Sequence, residues 1–244
     1  MTTRIAVVTG GGSGIGRATC TRLTADGFTL AVLDVDDEAA KVAAGPDGLG
    51  CAADVADRDA VDAAFAQVVA AFGRIDVLVN NAGVSGTVDA TICHETTVEE
   101  WDRVLAINTR GPFLCARAAL PVMLAQGGGH IITVASVAGH VAFPGRCAYT
   151  ASKGAALMFA KSLAADYAAA GIRSNAVCPG FVRTPMTQWR LDVPELREQV
   201  EARIPTGRVA EPDDIADAIA VLASGRLGYM TGAALVVDGG WTVL

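Results

Sequence analysis

The chain has 244 residues, 52% of them apolar, and a net charge of −7. That balance suits a large buried core and argues against nucleic acid as a partner, because phosphate contacts need clustered lysine and arginine. Apolar stretches break well short of the ~20 residues a bilayer-spanning helix requires, so no membrane span is expected.

Met1-Thr2-Thr3-Arg4 leads straight into an apolar run, which leaves no room for a leader and sets the expectation of a cytoplasmic protein. That run, Ile5 to Thr9, reads as a buried strand and breaks into Gly10-Gly11-Gly12-Ser13-Gly14-Ile15-Gly16 before a helix over 15–26. Backbone N–H groups of such a turn and of the first helical residues point at whatever lies above the strand's carboxyl end, and a pyrophosphate is the natural occupant. The next strand, Thr29 to Leu33, ends at Asp34, about twenty residues on, where a carboxylate can accept both adenosine ribose hydroxyls. The same carboxylate repels a 2′-phosphate, and Asp36 and Asp37 add negative charge, so NAD is expected in preference to NADP. After the third strand, Asp54 is open to two readings, an acceptor for the adenine amino group or a cap for the helix that starts near Asp57.

Apolar runs ending at Val8, Leu33, Ala53, Val79, Ala135, Cys178 and Val237 predict seven parallel strands. Helices are expected over 15–26, 57–72, 98–126 with a break near Gly111-Pro112, 148–170 and 212–224. The fold class is therefore α/β, a single Rossmann-type doubly wound domain over 1–244 with helices on both faces of the sheet. Its cofactor half covers about 1–135 and its catalytic and substrate-loop half about 136–244. Cysteines at 20, 51, 93, 115, 147 and 178 form no Cys-x-x-Cys pair, and histidines at 94, 130 and 140 share no metal-ligand spacing. Buried free thiols are expected, with neither disulfide nor metal implied.

Tyr149 and Lys153 stand four apart in a helix-favouring run, which puts phenol and amine on one face. A phenol titrates near pH ~10, and an adjacent ammonium favours its ionised form, so Tyr149 is a candidate acid/base. Taken alone, Tyr-x-x-x-Lys also describes a surface tyrosine beside a solvated lysine. Ser136, thirteen residues before Tyr149, adds a hydroxyl that can orient an alcohol or ketone.

Thr9-Gly10-x-x-x-Gly14-Ile15-Gly16, Asp54-Val55, Asn80-Asn81-Ala82-Gly83, Asn108, Ser136, Tyr149-x-x-x-Lys153 and Pro179-Gly180 together resemble the short-chain dehydrogenase/reductase family along the chain from Ile5 to about Val243. The resemblance implies a catalytic set of Asn108, Ser136, Tyr149 and Lys153, in which Asn108 holds a water that joins Lys153 to solvent. It implies a dinucleotide site made of Gly10, Ser13, Gly14, Ile15, Gly16, Asp34, Asp54, Val55, Asn81, Ala82, Gly83, Tyr149 and Lys153. Pro179, Gly180, the backbone at Val182 and the hydroxyl of Thr184 complete that site on the nicotinamide side, with a helix cap at Thr184 as the plainer reading. Family members usually form homotetramers through paired long helices and carboxyl-terminal strands, and residues 98–126 and 148–170 correspond to those helices.

Substrate choice falls to the segment after Thr184, which carries Trp189 beside Arg190. Arg146 lies three residues before Tyr149 and shares its helical face if the helix has begun there. Two guanidinium groups could hold an oxyanion away from the reacting carbon, which points to a small anionic substrate. Arg190 could equally pair with Asp192 or Glu195, and Arg146 could be a loop-surface residue. Pro179 to Ile204, with Val141 to Arg146, resembles the hydroxypropyl-coenzyme M dehydrogenases of the family, which implies a sulfonate gripped by Arg146 and Arg190, a pocket wall at Trp189, and oxidation of the R alcohol. Phe181-Val182-Arg183 and Thr206-Gly207-Arg208-Val209 depart from that pattern and leave room for another small alcohol. A 3-oxoacyl thioester reductase is a further alternative, disfavoured by Asp34 and the acidic balance, and a non-enzymatic dinucleotide sensor would have no reason to carry Ser136, Tyr149 and Lys153.

Overall fold

The computed structural model describes residues 3–87 and 92–243. Seven strands form one parallel sheet: β1 (Arg4–Thr9), β2 (Phe28–Asp34), β3 (Leu49–Ala52), β4 (Val77–Asn80), β5 (Gly129–Val134), β6 (Ile172–Pro179) and β7 (Ala234–Val237), in the order β3-β2-β1-β4-β5-β6-β7. Both faces are covered, which explains why the strands read as continuous apolar runs. Val7 and Leu33 enter the core on one face with Phe65, Leu114 and Met123, while Ala6, Val8 and Val32 enter the other with Leu23, Ile215 and Ile219.

The expected helices are present as α1 (Gly14–Ala25), α3 (Arg58–Phe72), α4 (Val98–Leu105) with α5 (Gly111–Ala125), α6 (Cys147–Tyr167) and α9 (Pro212–Ala223). Three more lie outside the expected ranges: α2 (Asp37–Ala44), α7 (Pro185–Leu191), which agrees with the plainer reading of Thr184 as a helix cap, and α8 (Pro194–Glu201). Their start signals were in view. The Asp36 side chain accepts from the Ala39 N–H at 3.0 Å and caps α2, while Pro185 and Pro194 occupy first-turn positions where a missing N–H costs nothing. The expected break near Gly111-Pro112 lies slightly upstream, as a widened turn over Ala106–Arg110 in which the Gly111 N–H bonds to the Ala106 carbonyl. Pro112 cannot donate to the carbonyl four residues back, so the local hydrogen bonding loosens just before it.

His130 is a buried packing residue within β5. Its Nδ1 donates to the Leu222 carbonyl at 3.1 Å, so Nε2 is the acceptor for the Asn175 side-chain amide at 2.9 Å. Burial pushes its pKa down to about 3, with Arg173 adding repulsion. In the unfolded chain the imidazole titrates near pH ~6.5, so the unfolded state binds the extra proton between the two values. Stability should therefore fall as pH drops below about 6.5, with His130 contributing about 1.4 kcal/mol per pH unit within that window. Urea denaturation at pH 7 and pH 5 checks this: His130→Gln should show a shallower decline than the wild type.

Candidate active site

In a parallel sheet every strand ends on the same edge, so Thr9, Asp34, Asn80, Val134 and Pro179 all open onto one cleft. The cleft lies where the strand order reverses, between β1 and β4. Thr9 and Asn81 bind this junction together. The Thr9 hydroxyl accepts the N–H groups of Asn81 and Ala82 at 3.0 and 3.1 Å, and the Asn81 amide donates to the carbonyls of Thr9 and Gly10 at 3.0 and 2.9 Å.

Two adjoining cavities fill the cleft. The first, about 670 Å³, is lined by Gly10, Ser13, Gly14, Ile15, Asp34, Asp54, Val55, Asn81, Ala82, Gly83, Tyr149, Lys153, Pro179, Gly180, Val182 and Thr184. Gly16 alone of the expected dinucleotide residues stands behind the wall. A Cβ there would sit 2.0 Å from the Gly10 carbonyl oxygen, so glycine is what lets α1 start directly against the turn. The first turn of α1 carries no acidic residue, which leaves its positive end suited to an anion. Asp34 accepts the Gly12 N–H at 2.8 Å and the Asp36 N–H at 3.1 Å, which fixes a carboxylate at the cavity wall. Asp54 does not cap α3. Asp57 does, accepting from Asp59 and Ala60, while Asp54 accepts the Ala56 N–H at 2.8 Å and lines the cavity. Thr184 both lines the cavity and serves as the N-cap residue of α7, its N–H donating to the Thr187 hydroxyl at 3.1 Å. Together the glycine turn, the helix N-terminus and the Asp34 carboxylate fit an adenine dinucleotide.

The second cavity, about 960 Å³, shares Ser136, Tyr149, Gly180, Met186, Thr187 and Trp189 with the first. Ser136 is extended backbone just past β5, its hydroxyl accepting the Ala138 N–H at 3.0 Å. The turn that follows presses on α6, for a Cβ on Gly139 would come within 2.8 Å of the Lys153 carbonyl oxygen. That close approach aligns Ser136 with Tyr149. Burial pushes the Tyr149 phenol above its ordinary value, with a hydrogen bond from Ser136 and the charge of Arg146 pulling the other way. This corrects the expectation that a neighbouring ammonium would dominate. The Lys153 Nζ donates to the Val134 carbonyl at 2.9 Å and lies 5.7 Å from the centre of the Tyr149 ring, and burial pushes its own pKa down to about 8.

Asn108 occupies the widened turn before α5 and is buried. Its side chain accepts from the Val84 N–H and donates to the Val84 carbonyl, both at 2.8 Å, and donates to the Ser152 hydroxyl at 3.0 Å. Ser152 in turn donates to the Tyr149 carbonyl at 2.7 Å. Asn108 is thus linked through Ser152 to the backbone of the helix that carries the acid/base candidate. Ser152 was not singled out from the sequence, and Thr9 entered only as the first residue of the glycine motif. A buried hydroxyl inside a helix and one at a strand end were the signals for them.

Arg146 and Arg190 both line the second cavity. Helix α6 begins at Cys147, so Arg146 stands one residue outside it, yet its charge acts on Tyr149, and its guanidinium donates to the Thr87 carbonyl. Arg190 is exposed and lies over Trp189 at 5.7 Å. Among the described residues it pairs with neither Asp192 nor Glu195; the Asp192 carboxylate accepts from Gln188 instead, at 2.6 Å. Four of the six cysteines are buried as expected, while Cys93 is exposed and Cys147 half-buried, because both lie in or beside surface loops.

A family model described as enoyl-(acyl carrier protein) reductase matches residues 10–242. The chain belongs to the short-chain dehydrogenase/reductase family. It is 52% identical to a 2-(R)-hydroxypropyl-CoM dehydrogenase of Xanthobacter autotrophicus, over 99% of each chain. It is 41% identical to a cis-4-hydroxycyclohexanecarboxylate dehydrogenase of Sinomonas cyclohexanicum, over 99% of this chain and 97% of the relative. The crystal structure of a levodione reductase superposes with a TM-score of 0.92 at 35% identity, over 100% of this chain and 99% of that one. The protein is an oxidoreductase that acts on secondary alcohols or their ketones with a nicotinamide dinucleotide.

Proposed function

We propose that the protein is an NAD-dependent dehydrogenase of a small secondary alcohol with an anionic tail, and that 2-(R)-hydroxypropyl-coenzyme M is the substrate to try first. The observation that carries this reading is that Arg146 and Arg190 line the same cavity as Ser136 and Tyr149, so a cation pair and a proton-transfer pair face one substrate space. The identity to the Xanthobacter enzyme supports the choice of tail.

The glycine turn, Asp34, Asn81, Lys153 and the Pro179–Thr184 segment would hold NAD, which when bound would supply the hydride acceptor. Ser136 orients the alcohol hydroxyl, and Tyr149 as phenolate takes its proton. Lys153, 5.7 Å from the ring centre, brings positive charge beside Tyr149, while Asn108 fixes the position of α6 through Ser152. Arg146 and Arg190 bind the tail, and Trp189 forms the wall between the two cavities. In solution we expect a homotetramer, a reading supported by the exposed Phe113 on α5 and Met158 on α6.

Initial rates with NAD and NADP against a panel of secondary alcohols, matched pairwise with and without a sulfonate or carboxylate tail, test the proposal. Preference for a neutral partner throughout the panel would refute the anionic tail. Asp34→Ala should weaken NAD binding and raise the relative use of NADP, because it removes both a ribose acceptor and a repulsive charge. A wild-type enzyme that already prefers NADP would show that Asp34 has been misread.

A further inference from the structure

Part of the wall of the larger cavity is built from residues that none of the catalytic assignments use. Trp241, three residues from the last described strand-end carboxylate at Asp238, lines that cavity together with Phe143, Phe181 and Arg203. Its indole stacks on Phe143 with ring centres 5.8 Å apart and planes 22° apart, and on Phe181 at 6.1 Å and 11°. The Arg203 guanidinium lies over the same ring at 5.2 Å. These neighbours come from different parts of the chain. Phe143 precedes α6 and Tyr149, Phe181 follows Gly180 on the dinucleotide side, and Arg203 follows α8.

The indole is also firmly held. The Asp238 carboxylate accepts from the Gly240 N–H at 2.8 Å and from the Thr242 N–H and hydroxyl at 2.8 and 2.7 Å, which closes the turn that presents Trp241. Behind it, Trp241 and Phe181 pack on a small cluster of Leu191, Val200, Ile204 and Val209 that belongs to neither main core. A large, rigid ring fixed on several sides in a cavity wall limits the space a ligand can fill. Most of a binding surface can give way to a longer ligand by rotating a side chain, but a stacked indole cannot do so without losing its neighbours.

We infer that Trp241 is a specificity-determining residue that limits the length of alcohol the site accepts, by walling the same cavity that Ser136 and Tyr149 line. This rests on the reading of the larger cavity as the substrate side and is independent of the anion clamp. The test is kcat/KM with the 2-alkanols from butan-2-ol to decan-2-ol for the wild type, Trp241→Ala and Trp241→Phe. In the wild type, activity should collapse beyond one chain length. In Trp241→Ala that limit should move to longer alcohols, with the ratio of long- to short-chain kcat/KM rising by about 10-fold or more, the usual effect of admitting or refusing a methylene group. Trp241→Phe keeps a stacked ring and should retain a limit close to that of the wild type. Because the series is neutral, a wrong assignment of Arg146 and Arg190 leaves the ratio readable. If Trp241→Ala lowers every alcohol equally and leaves the ratio unchanged, Trp241 only supports the fold and the inference is wrong. NAD affinity and far-UV circular dichroism of both variants should match the wild type, since a damaged fold would alter them as well as turnover.

Discussion

Replacing Tyr149 by Phe should reduce turnover ~10²- to 10⁴-fold, the usual cost of deleting a general base, while leaving the dissociation constant for NAD almost unchanged. The ring that Lys153 lies against would remain, so the Lys153–Val134 contact and the packing of α6 have no reason to alter. Only the phenol oxygen is lost, and with it the partner of Ser136. Stopped-flow or steady-state rates, combined with a fluorescence titration of NAD, separate the two effects. A variant with near-normal turnover would remove Tyr149 from the mechanism.

Loss of either guanidinium should discriminate between substrates. A hydrogen bond to a charged group contributes about 1.5 to 3 kcal/mol, so Arg146→Ala and Arg190→Ala should each lower kcat/KM for a sulfonate-tailed alcohol by about 10- to 150-fold. A short neutral alcohol of the same carbon skeleton should be oxidised much as before. The two variants should also differ from each other. The charge of Arg146 reaches Tyr149 and helps lower the phenol's pKa, so its loss should move the pH dependence of neutral-alcohol oxidation upward, an effect not expected for Arg190. Equal losses on charged and neutral substrates would reduce both arginines to loop supports.

The sheet and the cavity that the glycine turn and Asp34 line were legible because each rests on local chemistry: apolar runs, glycines at a turn, and a carboxylate at a strand end. That Tyr149 and Lys153 share a face and line one cavity with Ser136 was legible because the first two are one helical turn apart. What sequence spacing could not convey was the net environment of Tyr149. The lysine on the same face suggested a lowered pKa, but the desolvation that raises it comes from packing around the phenol that residue spacing does not show. Helix α7 was legible only as a cap reading at Thr184 and α8 not at all, because each is only two turns long with a proline at its start, so neither offers enough apolar periodicity to stand out from a loop. Asp36 and Asp37 stand in the sequence reading only as charge near the ribose, although with Glu38 they mark the start of α2.

The link between Thr9 and Asn81 also bears on how the chain reaches this shape. Strand β1 is the first to emerge during synthesis, yet one of its two neighbours, β4, begins more than sixty residues later, at Val77. The carbonyls of Thr9 and Gly10 receive the Asn81 amide only after that long loop has closed, and closing it costs entropy before any bond repays it. An amino-terminal fragment ending before β4 therefore has the glycines of the dinucleotide turn without the residue that holds them in place. Dinucleotide added during refolding can capture the turn only after β1 and β4 have met, so it should slow unfolding far more than it speeds the first stage of folding.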